Sequence, residues 1–174
     1  MKKSDISSMP EYFERYINLV DDIELDDAFR KSLPEIHSLD INLIKRVGHK
    51  TYADNKWTIN EIIQHLIDTE RIFCYRILLF ARQDKTTPPG FDEKVFAANS
   101  KANNRNIIDI IDELKVVRQS TISLYKSFDQ VDLLKTGINW KHEMSVLGMG
   151  FTIVGHQIHH FNIMKTHYYE LADQ

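Results

Sequence analysis

Long stretches with apolar residues at helical spacing constrain the fold of this chain more than any other feature. The clearest stretch begins at Thr58 and Glu61, which form a capping box that satisfies backbone donors at a helix N-terminus. Apolar residues then recur every three or four positions as far as Arg82, ahead of the helix-breaking sequence Thr86-Thr87-Pro88-Pro89-Gly90. Turn residues are sparse, with six Gly and four Pro in 174 residues. The sequence therefore predicts long helices rather than many short strands.

Three further segments share this periodicity. They run from Asp26 to about His49, from Asn104 to Phe128 and from about Ser145 to Leu171. In the first segment we place Pro34 in the first helical turn, so the regular helix should begin near Ser32. Asn103 or Asn104 can cap the next segment. A shorter amphipathic stretch from Pro10 to Val20 predicts an extra helix near the N-terminus.

Four amphipathic segments of this length predict an all-α protein, a four-helix bundle with a short extra N-terminal helix. We expect one domain over residues 1–174 with its core over about 26–172, because a chain of this size buries about 70% of its unfolded surface. The connection from Asp129 to Glu143 is long for a helical bundle. We therefore expect it to line a site or an interface.

Composition excludes several classes of function. The net charge is −3 with both signs mixed along the chain, and no basic stripe could follow a nucleic acid backbone. No apolar run is long enough to span a membrane, and the start of the chain is charged, so we expect a soluble cytoplasmic protein. The single cysteine, Cys74, lies among apolar residues, which favours a packed side chain over a nucleophile and excludes a disulfide framework.

Half of the eight histidines lie between positions 156 and 167. On a helix His156 and His160 project from the same face, so that two imidazoles can hold one ion. His159 points to another side, and His167 lies about 10 Å along the axis from His160, too far to share that ion. The spacing leaves open that these are core or interface histidines with ordinary hydrogen-bond partners.

The histidine spacing is similar to the zinc-protease motif H-E-x-x-H, whose glutamate acts as the general base. Gln157 occupies that position here, and an amide cannot take the proton, so a metalloprotease is disfavoured. Two imidazoles make a weak site, and a third ligand must come from another segment. His65, on the helix that follows Thr58, could face the pair across the bundle, although a lone histidine there equally fits a hydrogen-bonded core residue.

Several sequence elements together resemble the DinB-like superfamily, which also contains YfiT-type proteins described as metal-dependent hydrolases and bacillithiol- and mycothiol-dependent transferases. These elements are the run from Trp57 to Arg71, Tyr75-Arg76, Pro89-Gly90-Phe91-Asp92, the run from Gly155 to His160, and Tyr168. The resemblance extends from about residue 9 to 170. It implies a four-helix bundle, often a homodimer, with a divalent metal, nickel or zinc, bound by three histidines. Carried onto this sequence, the metal ligands are His65, His156 and His160.

Two classes of function remain open. The first is a metal-dependent enzyme of thiol S-transferase or hydrolase type, in which the ion acts as a Lewis acid or lowers the pKa of a bound water or thiol. Its substrate would be a small molecule, for example a low-molecular-weight thiol. The second is a non-catalytic metal-binding module for a partner or ligand, which a fourth ligand such as His142 would favour because structural zinc sites are four-coordinate. Binding without a metal is a third reading, and we favour the enzyme.

Polar residues near the candidate ligands have two interpretations each. Thr69 and Asp68 lie within one turn of His65 and can orient its ring, as can Glu61 if the capping box leaves it free. Arg71 and Arg76 either guide an anionic substrate or form salt bridges on the helix flank.

Overall fold

The protein is mostly helical in a computed structural model that describes residues 1–173. The α-helices are α1 (Glu14–Ile17), α2 (Leu25–His37), α3 (Ile41–Val47), α4 (Ile59–Ala81), α5 (Glu93–Asn99), α6 (Ile107–Tyr125), α7 (Gln130–Leu134) and α8 (Val146–Ile163). Two short strands, β1 (Thr136–Asn139) and β2 (His142–Ser145), form an antiparallel hairpin ahead of α8. Short turns of other helical types occupy Lys3–Asp5, Ala102–Asn104, Met164–Tyr168 and Tyr169–Asp173.

The long helices α2, α4, α6 and α8 form the bundle. Helix α4 packs against α6 and α8, and α2 packs against the same two helices, so the order around the bundle is α2, α6, α4, α8. Side chains at helical spacing on each of them, such as Ile63, Ile110 and Phe151, are fully buried. The predicted all-α four-helix bundle is confirmed. Helix α1 adds to it by packing on α8, and its short length agrees with the extra N-terminal helix that the sequence predicts.

A buried polar layer crosses the bundle between two apolar clusters. Arg118 of α6 forms two hydrogen bonds of 2.9 Å with the carboxylate of Glu70 on α4. The same guanidinium donates to Ser32 of α2 and to Gln157 of α8, each at 2.6 Å. Because one group binds all four helices, this layer fixes how α8 is rotated about its axis. The rotation that places Gln157 in the layer also sets the direction of the adjacent His156.

The prediction of one continuous first helix is wrong, because the structure has two helices there. A break over residues 38–40 separates α2 from α3, where Asp40 accepts a hydrogen bond of 2.9 Å from the Leu43 amide and starts a new helix. Pro34 lies inside α2 instead of its first turn. The position is exposed, so the carbonyl that loses its partner there can bind water. Periodicity alone could not show the break, because apolar residues continue across it.

The next two helices agree closely with the sequence prediction. Helix α4 begins after the predicted capping box, with Thr58 and Glu61 exchanging hydrogen bonds. Helix α6 is shorter than predicted and is capped by Asn106, which accepts from the Ile108 amide at 3.0 Å. Asn103 is therefore not the cap. It donates to Glu61 at 3.1 Å and accepts from the Thr58 hydroxyl at 2.6 Å, which ties this loop to the start of α4.

The C-terminal part of the chain contains structure that the sequence did not indicate. The predicted loop from 129 to 143 holds α7 and most of the hairpin, whose turn places Trp140 at a φ of 60°. Gly137 of the hairpin lies directly on α4, since a Cβ there would be 2.0 Å from the Phe80 ring. The predicted last helix ends early, because α8 stops at Ile163 and wider and tighter turns follow. Across residues 1–173 no helix is both long and apolar enough to cross a bilayer.

Candidate metal centre

Three histidines from two helices meet in the structure. His65 projects from α4, and His156 and His160 project from α8 one turn apart. The Nε2 atom of His156 lies 3.1 Å from Nε2 of His65 and 3.1 Å from Nε2 of His160. The candidate ligand atoms of all three lie within 4.8 Å of one another. The structure therefore brings together the three histidines that the sequence singled out.

This cluster fits a divalent cation better than a set of hydrogen bonds. The His156 Nε2 atom faces two other Nε2 atoms, and one ring nitrogen cannot satisfy both with a single proton or a single lone pair. Two imidazole nitrogens bound to one ion at about 2.0–2.1 Å lie about 2.9–3.4 Å apart at coordination angles of about 90–110°. The two distances of 3.1 Å fall in that range.

The second ring nitrogen of His65 supports the same interpretation, whereas that of His160 does not. His65 Nδ1 lies 3.4 Å from the Thr69 hydroxyl, at the long end of a hydrogen bond, and this contact would hold the ring with Nε2 aimed at the other two histidines. His160 Nδ1 is buried without a hydrogen-bond partner among residues 1–173.

Burial keeps all three rings neutral. Removal from water lowers the pKa of His65 to about 4, with a smaller contribution from His159. Burial likewise holds the pKa of His156 and of His160 well below the usual 6.5, and neighbouring histidines add to the effect. A neutral imidazole has a free lone pair, which is the form that binds a metal.

The histidines form one wall of an open pocket of about 360 Å³. Its other walls are mainly aromatic and come from the N-terminal segment, from α4 and the segment before it, from the loop before α5 and from the hairpin. They include Tyr12, Phe13, Tyr16, Trp57, Phe73, Phe91 and Trp140. The charged residues of the lining are Arg15, Arg76 and Glu93. A pocket of this size suits a small organic molecule.

Helix α1 closes the pocket beside the histidines because a glycine lets it approach α8. Gly155 lies so near that a Cβ there would be 1.9 Å from the Tyr16 carbonyl oxygen. The Tyr16 ring consequently lies edge-on to His156 and His159, with centroid distances of 5.0 and 5.3 Å. On the other side the Trp57 ring is 4.8 Å from the His65 ring.

The comparison with protein families agrees with these observations. The model of the DinB superfamily matches residues 11–164, which include all the bundle helices and the histidine cluster. The chain belongs to the DinB superfamily. A comparison with curated proteins found no match.

A solved structure supports the fold of this DinB protein. YfiT from Bacillus subtilis superposes with a TM-score of 0.65, covering 94% of this chain and 87% of its own, at 16% sequence identity. That protein is described as a probable metal-dependent hydrolase with an unusual four-helix bundle topology. At this level of identity the likeness shows the fold alone.

Other residues singled out in the sequence are spread over several environments of the DinB fold. His159 lines the pocket beside His160, with ring centroids 5.1 Å apart. His142 instead packs with Tyr12 and Trp140 at the rim. His167 stacks on Tyr52 at 4.7 Å, away from the cluster, as its distance along the helix predicts.

The polar candidates on α4 also separate. Glu61 stays in the capping box, and Asp68 accepts a hydrogen bond of 3.0 Å from Gln64, so neither orients the His65 ring. Arg71 forms a salt bridge of 2.7 Å with Glu113, which confirms the helix-flank interpretation for this residue. Arg76 is among the residues that line the pocket and forms no salt bridge within residues 1–173.

Sequence reasoning missed the contribution of the N-terminal segment. Tyr12, Phe13 and Tyr16 are the apolar face of the short helix, and that pattern predicts only that they are buried. Arg15 between them carried no signal. The prediction that the long connection lines a site is correct for Trp140.

Proposed function

We propose that this DinB protein is a metal-dependent enzyme in which His65, His156 and His160 bind one divalent ion. The convergence of three neutral Nε2 atoms on the wall of an open pocket carries this proposal. Imidazole ligands suit several transition metals, and nickel or zinc is the ion we expect. When bound, the ion would supply a positive charge that lowers the pKa of a thiol or water and polarises a carbonyl group.

The number of ligands favours an enzyme over a structural metal site. Structural zinc is normally held by four protein ligands, whereas catalytic zinc has three and leaves a position open. In the described part of the chain, the three histidines form a cluster without a fourth His, Cys, Asp or Glu. His142, the residue that could have completed a closed site, lies against the aromatic rim instead. The three histidines line the pocket, so a position left open on the ion would be within reach of a ligand bound there.

The chain's own residues hold the site in place and keep it dry. Thr69 contacts His65 Nδ1, which directs Nε2 toward the other two histidines. Tyr16 and Trp57 cover the rings on two sides, so a bound substrate would exclude most of the water between them.

Thiol S-transfer is the reaction that this lining supports best. A hydrolase needs a group beside the reacting water that can accept its proton. Glu93 is the sole acidic residue of the pocket lining and is exposed. Glu70 is bound to Arg118. A low-molecular-weight thiol needs no such base in the pocket, because a bound divalent ion would lower its pKa enough for the proton to pass to solvent water.

Hydrolysis is the second candidate, and His159 is the observation that favours it. Its ring lines the pocket next to His160, and burial lowers its pKa, so it is neutral at pH 7 and can accept a proton. A His159→Gln variant that loses hydrolysis of activated esters but keeps its metal would favour this candidate over thiol transfer.

Metal content measured by elemental analysis tests the proposed site. We expect near one nickel or zinc ion per chain in the protein loaded with either metal, and a loss of most of it in His160→Ala. His159→Ala is the matched control, since this neighbouring residue is not among the converging nitrogens. Equal metal content in all three proteins would refute the assignment of the ligands. If the wild-type protein retained neither ion after incubation with nickel or zinc, the enzyme proposal would be refuted.

A further inference from the structure

Arg76 is a buried cation without a counter-ion. Its side chain is 2% exposed, and Arg118 is the other buried arginine in residues 1–173. Arg118 is neutralised by Glu70 through two hydrogen bonds. Arg76 donates from Nη1 to the Asn139 side-chain oxygen and from Nη2 to the Pro89 carbonyl at 2.8 Å, both neutral acceptors. Its Nε is buried with no partner in the described residues.

This arrangement is unusual for a residue with only a structural role. Removing a guanidinium from water costs more than hydrogen bonds to neutral oxygens return, so buried charges are normally paired. Arg76 lies in the pocket lining. A negative group of a bound ligand would supply the missing partner.

The charge of the pocket points to the same class of ligand. Two arginines, Arg15 and Arg76, and one glutamate, Glu93, line it, although the chain as a whole has a net charge of −3. Arg15 is exposed, forms no salt bridge within the described residues, and lies over the Tyr12 and Tyr16 rings at 4.1 and 4.7 Å. A divalent ion held by three imidazoles would add positive charge to this pocket, because an imidazole ligand brings no negative charge. The pocket therefore attracts anions.

The positions along α4 give the shape of the ligand. His65, Thr69, Phe73 and Arg76 all line the pocket, because these spacings place them on one side of the helix. Arg76 follows His65 by eleven positions, which correspond to about 16 Å along the axis. The backbone of Arg76 therefore lies about three helical turns from that of His65 on the pocket-lining side of α4.

We infer that the pocket binds an elongated organic anion, with a carboxylate held by Arg76 and the opposite end at the three histidines. The placement of that opposite end rests on the proposed function. A carboxylate matches the planar, forked donors of a guanidinium. Phe73 and the aromatic walls pack along the apolar middle of the ligand. Arg15 at the mouth favours entry of the anion.

Calorimetric titration of the zinc-loaded protein tests this inference. The ligands are straight-chain thiols that end in a carboxylate, and their uncharged amide analogues of equal length. At one chain length or more, the carboxylate should bind the wild-type protein at least about tenfold more tightly, the range of a charged hydrogen bond. Arg76→Gln should abolish this preference and retain zinc, and Arg76→Lys should keep part of it. Equal affinity for both ligands in the wild-type protein at every length would overturn the inference.

Asn139→Ala is the matched control, because it removes a contact of Arg76 with the hairpin and keeps the charge. This variant should still prefer the carboxylate. If it lost as much of the preference as Arg76→Gln does, the position of the hairpin, and not the charge of Arg76, would decide binding, and the inference would be overturned.

A second arm needs no metal. Carboxylates without a thiol should raise the Tm of the chelator-treated wild-type protein more than their amides do, and should lose this advantage in Arg76→Gln. If zinc does not bind, the proposed function fails and this arm alone decides the inference. Zinc binding without any carboxylate preference would defeat only the inference.

Discussion

The close approach of α1 to α8 at Gly155 should make this position intolerant of any side chain. In Gly155→Ala the added carbon would lie 1.9 Å from the Tyr16 carbonyl oxygen and 2.5 Å from its carbonyl carbon. Carbon and oxygen atoms that are not bonded normally stay about 3.3 Å or more apart. The obstacle is backbone, so no rotamer change relieves it. Helix α1 must therefore move away by about 1.4 Å, the difference between the normal separation of about 3.3 Å and the 1.9 Å to the carbonyl oxygen.

The cost follows from what α1 buries. Overpacking of this kind costs about 1–3 kcal/mol. Lifting α1 also exposes part of Ile17 and Phe13, which are 0% and 5% exposed and whose full burial is worth about 1.5–3 kcal/mol each. Alanine is more favourable than glycine inside a helix by about 1 kcal/mol, which offsets part of this loss. The net loss in the free energy of unfolding should be about 2 kcal/mol, which lowers Tm by about 4–8 °C for a chain of this length.

Urea unfolding followed by far-ultraviolet circular dichroism measures this change. Gly148→Ala in the same helix is the matched control, since its nearest contact would be the Ser145 hydroxyl at 3.3 Å. It should stay within about 1 kcal/mol of the wild-type protein. If Gly155→Ala proved as stable as the wild-type protein while Gly148→Ala behaved as expected, the packing of α1 on α8 described here would be wrong.

Three further predictions concern buried ionisable groups. In metal-free protein the unfolded state takes up protons near pH 6.5, whereas folded His65, with a pKa of about 4, does not. The contribution of this group to the free energy of unfolding is therefore complete above pH 6.5 and falls toward pH 4, with a loss of about 2 kcal/mol at pH 5. A urea midpoint that stayed constant over this range would contradict the prediction. Glu70→Gln leaves Arg118 buried without a counter-ion and should cost about 3–5 kcal/mol in urea unfolding, so a loss below about 1 kcal/mol would argue against a tightly buried pair. Burial raises the pKa of Cys74 to about 11, so this thiol should react with iodoacetamide at pH 8 far more slowly than free cysteine, and an equal rate would show that it is exposed.

Much of the bundle could be predicted because its determinants are local. The capping box at Thr58 and the apolar stripes that follow it act within a few residues, and α4 begins where they indicate. The predicted continuity across Pro34 failed because the stripe persists while the backbone breaks at Asp40. The hairpin before α8 was also missed, since its pairing partners and its contact with Phe80 are not local features.

The candidate site likewise has a part that could be predicted from the sequence and a part that could not. The pair His156 and His160 follows from helical periodicity, and the family resemblance supplied His65. The sequence by itself thus determined the course of the long helices except at the break before α3, their buried faces and the histidines that can act together. Only the tertiary structure decided that α1 and the hairpin wall the pocket, that Glu113 pairs with Arg71, and that Arg76 has no such partner. These contacts join residues far apart in the chain, and they depend on how the helices rotate and pack against one another, which no local pattern encodes.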